Sequence, residues 1–314
     1  MSVPAVSTPV LVIAGPTATG KTDAAVELAL RLGGEIISAD SVQVYRGFDI
    51  GSAKPTDAER QGVPHHLLDV LDPHESWDAM DFARAADGVI ADLTTRGKLA
   101  IVTGGTGLWL RALLRGLVDL PAVDAALRAR LEDAVAERGA PSLHAELQRV
   151  DPTSAVRIHP NDALRIVRAL EVFEQTGTPL GALRDAHALG AERYRTFFVV
   201  LDVDAEAHTE RVTRRFDAML ERGLETEVRS LRRTVPEDAK PFGSVGYRQM
   251  LDFVEDRSDL ATARTEAIRA TRTYARRQRT WFRGEPGIHW RTDANTLLDA
   301  DGTARVAAWL GVKP

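Results

Sequence analysis

Residues Gly15-Pro16-Thr17-Ala18-Thr19-Gly20-Lys21-Thr22 match G-x-x-x-x-G-K-T, a spacing suited to gripping phosphate. The glycines let consecutive backbone N–H groups turn toward phosphate oxygens. The following helix start adds positive potential, Lys21 supplies a cation and Thr22 a hydroxyl for Mg²⁺. A chance match is expected in roughly one chain of this length in a hundred. The octet predicts a diphosphate or triphosphate site without saying that the ligand is ATP. A site that cleaves a nucleotide usually ends a neighbouring strand in an acid that helps hold Mg²⁺. Here Leu99-Ala100-Ile101-Val102-Thr103 runs instead into Gly104-Gly105-Thr106-Gly107. That second glycine run reads as a tight turn, or as a loop that brings Thr106 and backbone amides to the same phosphates. Asp40 follows Ile36-Ile37-Ser38, at the strand edge where open α/β sheets collect ligands. It reads either as a turn carboxylate or as the acceptor of a proton from a nucleophile at the phosphate site.

The elements that must position these residues alternate. Val10 to Ala14 is a β-branched strand, and Asp23 to Leu32 has helical composition ended by Gly33-Gly34. Ile36 to Ser38, His66 to Val70, Leu99 to Thr103 and Phe197 to Leu201 follow as strands. Asp78 to Thr95, Ala205 to Arg222 and Leu260 to Arg283 read as helices. Apolar strands separated by helices predict an α/β fold, a P-loop NTPase-like parallel sheet flanked by helices. Between Pro121 and Tyr194 only helices are indicated: Ala125 to Arg138, Ser142 to Val150 and Asp162 to Gln175. The expected organisation is a core from residues 1–120 and 195–314, with an inserted all-helical domain at 121–194.

Charge is segregated along the chain. Overall it is −5, yet Arg264 to Arg283 holds seven Arg against one Glu and leaves −11 for the rest. Arg269, Arg272, Arg276, Arg279 and Arg283 recur at helical spacing and form one stripe. Glu266 has Ala270 at i+4, so the stripe has no i,i+4 acidic partner. Contact with a phosphate backbone is the expected use, pairing with acids elsewhere the competing one. Tyr274, Trp281 and Phe282 read as packing residues, and His65 and His66 as structural. No cysteine is present, which excludes disulfides, thiolate metal sites and cysteine nucleophiles. The apolar runs are far shorter than the ~20 residues that span a bilayer, and the amino terminus lacks the layout of a targeting peptide. A cytoplasmic protein is expected, with no membrane partner.

Several blocks in order resemble the tRNA dimethylallyltransferases, or tRNA isopentenyltransferases, of bacterial type. They are residues 15–22, Ile37-Ser38-Ala39-Asp40-Ser41, Val44 to Gly47, Asp49-Ile50-Gly51-Ser52-Ala53-Lys54-Pro55, Gly104-Gly105-Thr106, Ile158 to Asp162 with Arg165 and Arg168, Arg215-Phe216, and Val245-Gly246-Tyr247-Arg248-Gln249. The resemblance covers roughly residues 10 to 290. It implies transfer of a dimethylallyl group from its diphosphate to N6 of the adenine 3′ to the anticodon, position 37, in tRNAs reading codons that begin with U. It implies Asp40 as the base, with Thr106 and Arg215 as its catalytic partners. Residues 15–22, Thr106 and Arg215 would hold the diphosphate, and Thr22 would hold Mg²⁺. Contact with the tRNA anticodon stem-loop is implied for Asp40, Ser41, Val42, Gln43, Thr106, Arg128, Leu164, Arg165, Ile166, Val167, Arg168, Gly243, Ser244, Val245, Gly246, Tyr247 and Arg248. Arg272 and Arg276 join them from the stripe, and the insertion is expected to close over the RNA bound to a monomer. Val42-Gln43 and Gly107-Leu108-Trp109 are positions where departures from the family pattern are expected. Two other classes remain open: a P-loop kinase of a nucleoside or small metabolite, and a non-catalytic RNA-binding protein.

Overall fold

The computed structural model describes residues 8–187 and 191–311. Its six strands are β1 (Pro9–Ala14), β2 (Gly34–Ser38), β3 (His65–His66), β4 (Leu99–Gly104), β5 (Arg195–Leu201) and β6 (Trp290–Thr292). All pair in parallel, in the order β3-β2-β4-β1-β5-β6. Val12 of β1 stands opposite Val102 of β4 and Phe198 of β5. Every residue of β4 is buried, as a strand covered on both faces requires. Leu11, Ile13, Ile36, Ile101, Phe197 and Val199 form a core with Val26 and Leu28 from the Lys21–Leu32 helix.

The parallel order has a direct consequence for function. β2, β4 and β1 are neighbours, so the chain leaves all three at one edge, where Asp40, Gly105-Thr106 and Gly15–Thr22 follow. Gly15 there takes φ 144°, and a Cβ on it would fall on the Leu201 carbonyl oxygen of β5. Only glycine lets the phosphate loop start so close to the next strand.

The described residues of Met1–Leu114 and Glu192–Pro314 make one compact unit, and those of Arg115–Ala191 another. The division differs from 121–194 for a local reason. Arg193 N–H donates to the Leu114 carbonyl at 3.0 Å, and the buried Tyr194 donates its hydroxyl to Asp87 Oδ1 at 2.5 Å. These bonds tie residues 193 and 194 to the sheet unit. The helical unit has its own core, centred on Leu131, Leu143, Leu147, Ile166 and Leu170. Its helices include Ala125–Arg138, Ala140–Val150 and Ala163–Thr176.

Most expected helices appear within one or two residues, and Leu260–Arg283 appears with the boundaries read from the sequence. Two strands differ. The segment expected at 66–70 is only His65–His66, because Leu67 and Asp69 adopt positive φ of 62° and 54° and leave the extended region. β6 escapes the sequence because three residues carry too little periodicity. Among the described residues no helix is long and apolar enough to cross a membrane.

Candidate active site

A cavity of about 410 Å³ opens at the edge where β1, β2 and β4 end. The phosphate loop gives it Thr17, Ala18, Lys21 and Thr22, and the turn after β2 gives it Asp40, Ser41, Val42 and Gln43. Arg215 enters from the Ala205–Glu221 helix, and Gly243 to Gly246 form another wall. All of these belong to the sheet unit.

Electrostatics make the cavity a site for an anion. Burial of the ammonium, reinforced by the nearby Arg215 charge, lowers Lys21 to about 7. Burial likewise pushes Arg215 down, while Asp40 pulls it the other way. Neither cation forms a salt bridge among the described residues. Lys21 Nζ instead donates to the Pro16 carbonyl at 2.6 Å across the loop. Two half-buried cations without an ion pair among the described residues are held at a cost that an incoming polyanion reduces. Not every residue of the octet faces that anion. Thr19 is fully buried and donates its hydroxyl to the Pro16 carbonyl at 2.9 Å, bracing the loop from inside. Gly15 and Pro16 are buried below the surface of the loop.

Asp40 combines both readings of its position. Oδ1 accepts the N–H groups of Val42 at 2.9 Å and Gln43 at 3.3 Å, so the carboxylate is the turn acceptor that its residue type suggests. Those bonds fix its orientation, and Oδ2 has no hydrogen-bond partner among the described residues. Thr106 stands beside this turn, its Oγ1 accepting the Ser41 N–H at 3.3 Å. It braces the Asp40 turn and is not among the residues lining the cavity.

The tRNA-contact positions divide. Gly243 is exposed, Ser244 and Val245 are half-buried, and Arg248 is exposed. Tyr247 is not available at a surface: it is fully buried, donates its hydroxyl to Glu227 Oε1 at 2.6 Å and accepts the Gly51 N–H at 3.1 Å. Burial raises its phenol well above the ordinary range, with the Glu227 carboxylate adding to the effect. Glu227 also accepts the N–H groups of Asp49, Ile50 and Gly51, at 3.2, 2.7 and 3.2 Å. Tyr247 therefore joins two walls of the cavity from behind.

Arg128 and Leu164 to Arg168 belong to the helical unit. Leu164 and Arg165 are exposed there, Arg165 pairing with Asp162 at 2.8 Å. Ile166 and Val167 are core residues, 0% and 3% exposed, so their side chains are inside the unit. Arg128 and Arg168 serve as counter-ions to the fully buried Glu171, at 2.7 and 3.1 Å. Burial would raise that carboxyl, but the arginine hydrogen bonds outweigh it and hold the group down.

Arg272 and Arg276 are exposed on the Leu260–Arg283 helix and form no ion pair among the described residues. The rest of the stripe is more paired than expected. Arg269 meets Glu266 at i,i+3, and Arg279 meets Asp202 at 2.9 Å.

Among the cavity residues that the sequence reading did not assign to the site are His65, Tyr274 and Gln278. His65 Nδ1 lies 2.9 Å from the Val63 carbonyl, while its buried Nε2 has no hydrogen-bond partner among the described residues. Tyr274 is 38% exposed, and its hydroxyl is raised to about 12, chiefly by burial and then by the Asp40 charge. A signal existed for two of them. Thr271, Tyr274 and Gln278 all line the cavity and repeat at spacings of three and four, a second stripe beside the arginines.

Comparison with known proteins gives the family. The family model for IPP transferase matches residues 43–285. A tRNA dimethylallyltransferase of Anaeromyxobacter sp. is 50% identical over 295 residues, covering 94% of this chain and 97% of the relative. One named tRNA dimethylallyltransferase 1, from Pelobacter propionicus, is 48% identical over 90% of this chain and 91% of its own. Among solved structures, the tRNA isopentenylpyrophosphate transferase of Bacillus halodurans superposes with a TM-score of 0.71 at 37% identity, covering 97% of both chains. A eukaryotic dimethylallyltransferase acting on tRNA gives a TM-score of 0.78 at 27% identity, covering 96% of this chain and 78% of that one. With the family model matching residues 43–285 and a relative half identical over 94% of its length, the chain belongs to the IPP transferase family.

Proposed function

We propose that the protein is a tRNA dimethylallyltransferase. It transfers the dimethylallyl group of dimethylallyl diphosphate to N6 of the adenine 3′ to the anticodon, position 37, in tRNAs reading codons that begin with U. The names of its relatives support the reaction class. The observation that carries the reading is Asp40, with Oδ2 free, sharing one cavity with Lys21, Thr22 and Arg215.

The chemistry follows from charge. An exocyclic adenine amine is a weak nucleophile, so the barrier falls most when negative charge is stabilised on the departing diphosphate. Lys21, Arg215 and the loop amides act there as the C–O bond to the diphosphate breaks and N6 bonds to the allylic carbon. Asp40 orients N6 through Oδ2 and accepts the proton that leaves the nitrogen. Thr22 suits Mg²⁺, since its hydroxyl is in the cavity wall and has no protein partner among the described residues. Mg²⁺ draws most of its oxygen ligands from substrate phosphates and water, so a large cluster of acids is not needed. Bound there, it would neutralise charge on the diphosphate. A target adenine reaches such a cavity only when unstacked, which a single-stranded loop permits at least cost.

The test is to offer the protein ATP or dimethylallyl diphosphate, with and without tRNA, and to measure which is consumed. The expected result is diphosphate release from dimethylallyl diphosphate that depends on tRNA. ATP consumption independent of RNA would replace this reading by that of a small-molecule kinase.

A further inference from the structure

One peptide of the phosphate loop is held from both sides by buried side chains that nothing above has used. Gln278, 6% exposed on the Leu260–Arg283 helix, accepts the Thr17 N–H on Oε1 at 3.0 Å. Its Nε2 donates to the Gly105 carbonyl at 3.0 Å. His208, 2% exposed on the Ala205–Glu221 helix, places Nε2 3.0 Å from the Thr17 carbonyl. A carbonyl only accepts, so Nε2 carries the proton in this pairing. Thr17 and Gln278 both line the diphosphate cavity.

Two physical points separate this arrangement from ordinary core packing. A buried amide is costly unless both ends are satisfied, and here each end is spent on a different glycine loop. The space for it is also reserved: a Cβ on Gly105 would fall on Gln278 Nε2. The amide is therefore a strut of fixed length between the loop after β1 and the loop after β4.

We propose that Gln278 is a positioning residue for the diphosphate site, setting the phosphate loop against the Gly104–Thr106 loop, with His208 securing the other side of the Thr17 peptide. The proposal rests on the transferase reading for its substrate but not for its geometry. Because the strut bonds the phosphate loop directly and reaches the Asp40 turn only through Gly105 and Thr106, its loss is felt more at the diphosphate than by the RNA.

The test uses the full chain with Mg²⁺, inorganic pyrophosphate as the probe, and melting temperature as the control. Gln278→Met removes both hydrogen bonds at similar volume and leaves the Thr17 N–H without an acceptor. About a tenfold loss of pyrophosphate affinity is expected, with a similar rise in KM for dimethylallyl diphosphate and a KM for tRNA within about twofold. Gly105→Ala displaces the same amide without altering it and should reproduce the effect. The double variant should be no weaker than the worse single one, since both break one strut. His208→Leu should give a smaller loss of the same kind. If Gln278→Met fails to fold, Gly105→Ala decides alone. Folded variants with unchanged pyrophosphate affinity, equal rises in both KM values, or additive losses would each overturn the proposal. A wild-type protein that binds pyrophosphate but transfers no dimethylallyl group would end the transferase reading and leave the strut to be judged by pyrophosphate alone. A wild-type protein that binds no pyrophosphate would end both.

Discussion

Asp40 divides its two oxygens between structure and chemistry. Because Oδ1 is spent on the Val42 and Gln43 amides, the carboxylate that lines the cavity is held in one orientation, and Oδ2 has no hydrogen-bond partner among the described residues. Asp40→Asn keeps the Oδ1 acceptor and removes the base, so it tests the role without dismantling the turn. It should lower kcat by about 10²-fold or more, with KM for both substrates within about threefold. Equal loss of tRNA affinity and turnover would make Asp40 a binding residue. At this scale the sequence is informative wherever chemistry needs a particular residue type at a particular spacing. Lys21, Thr22 and Asp40 meet that condition. Gln278 and His208 do not, because a glutamine or histidine that holds a peptide has no fixed spacing from the loop it holds.

Individual elements are stabilised by ion pairs whose pH and mutational behaviour can be stated. Glu35 of β2 is nearly buried and takes a forked pair of hydrogen bonds from Arg96, with His66 of β3 at 2.8 Å. The Arg96 hydrogen bonds, against the opposing effect of burial, hold its carboxyl at about 2 instead of the ordinary 4.5. A carboxyl depressed by folding contributes its full stability above the unfolded value and loses it as pH falls toward the folded one. The melting-temperature gap between wild type and Glu35→Gln should therefore be present at pH 5 and shrink between 4.5 and about 2. A gap that persists at pH 2 would mean that packing, not charge, is what the substitution removes. In the helical unit, Arg128→Ala should destabilise the fold by about 1–3 kcal/mol, since Arg168 remains as the partner of Glu171. Faster proteolysis within residues 115–191 would report that loss. Weaker tRNA binding with unchanged proteolysis would instead assign Arg128 to the RNA. Elements of ten or more residues, such as Leu260–Arg283, are legible from periodicity and caps. β6 and the end of β3 are not, because pairing to a formed sheet and local backbone strain decide them.

Across the whole molecule, charge and topology act together. An overall net charge of −5 hides a helix whose Arg272 and Arg276 are exposed and unpaired among the described residues. The same helix sends Thr271, Tyr274 and Gln278 into the cavity, so one element presents cations on one stripe and site residues on the other. Changing Arg272 and Arg276 together to Ala should weaken tRNA binding. It should also flatten the plot of log affinity against log salt by about 1.4–1.8. An unchanged slope would remove both residues from the RNA contact. The parallel fold was readable because strands and helices alternate, and the cavity's location followed from strand order. Its lining was only half readable from the residues themselves: the wall at 243–246 was reached through the family resemblance, and the wall at 271–278, more than 200 positions from Asp40, was not read as part of the site. The direct test of the central claim is mass spectrometry of an anticodon stem-loop incubated with protein, dimethylallyl diphosphate and Mg²⁺. Parallel samples carry Asp40→Asn protein, or guanine in place of the target adenine. A five-carbon mass gain on the adenine substrate with wild-type protein, greatly slowed with Asp40→Asn and absent with guanine, is the predicted result. No gain on the stem-loop or on full-length tRNA, or a gain that persists with guanine, would contradict it.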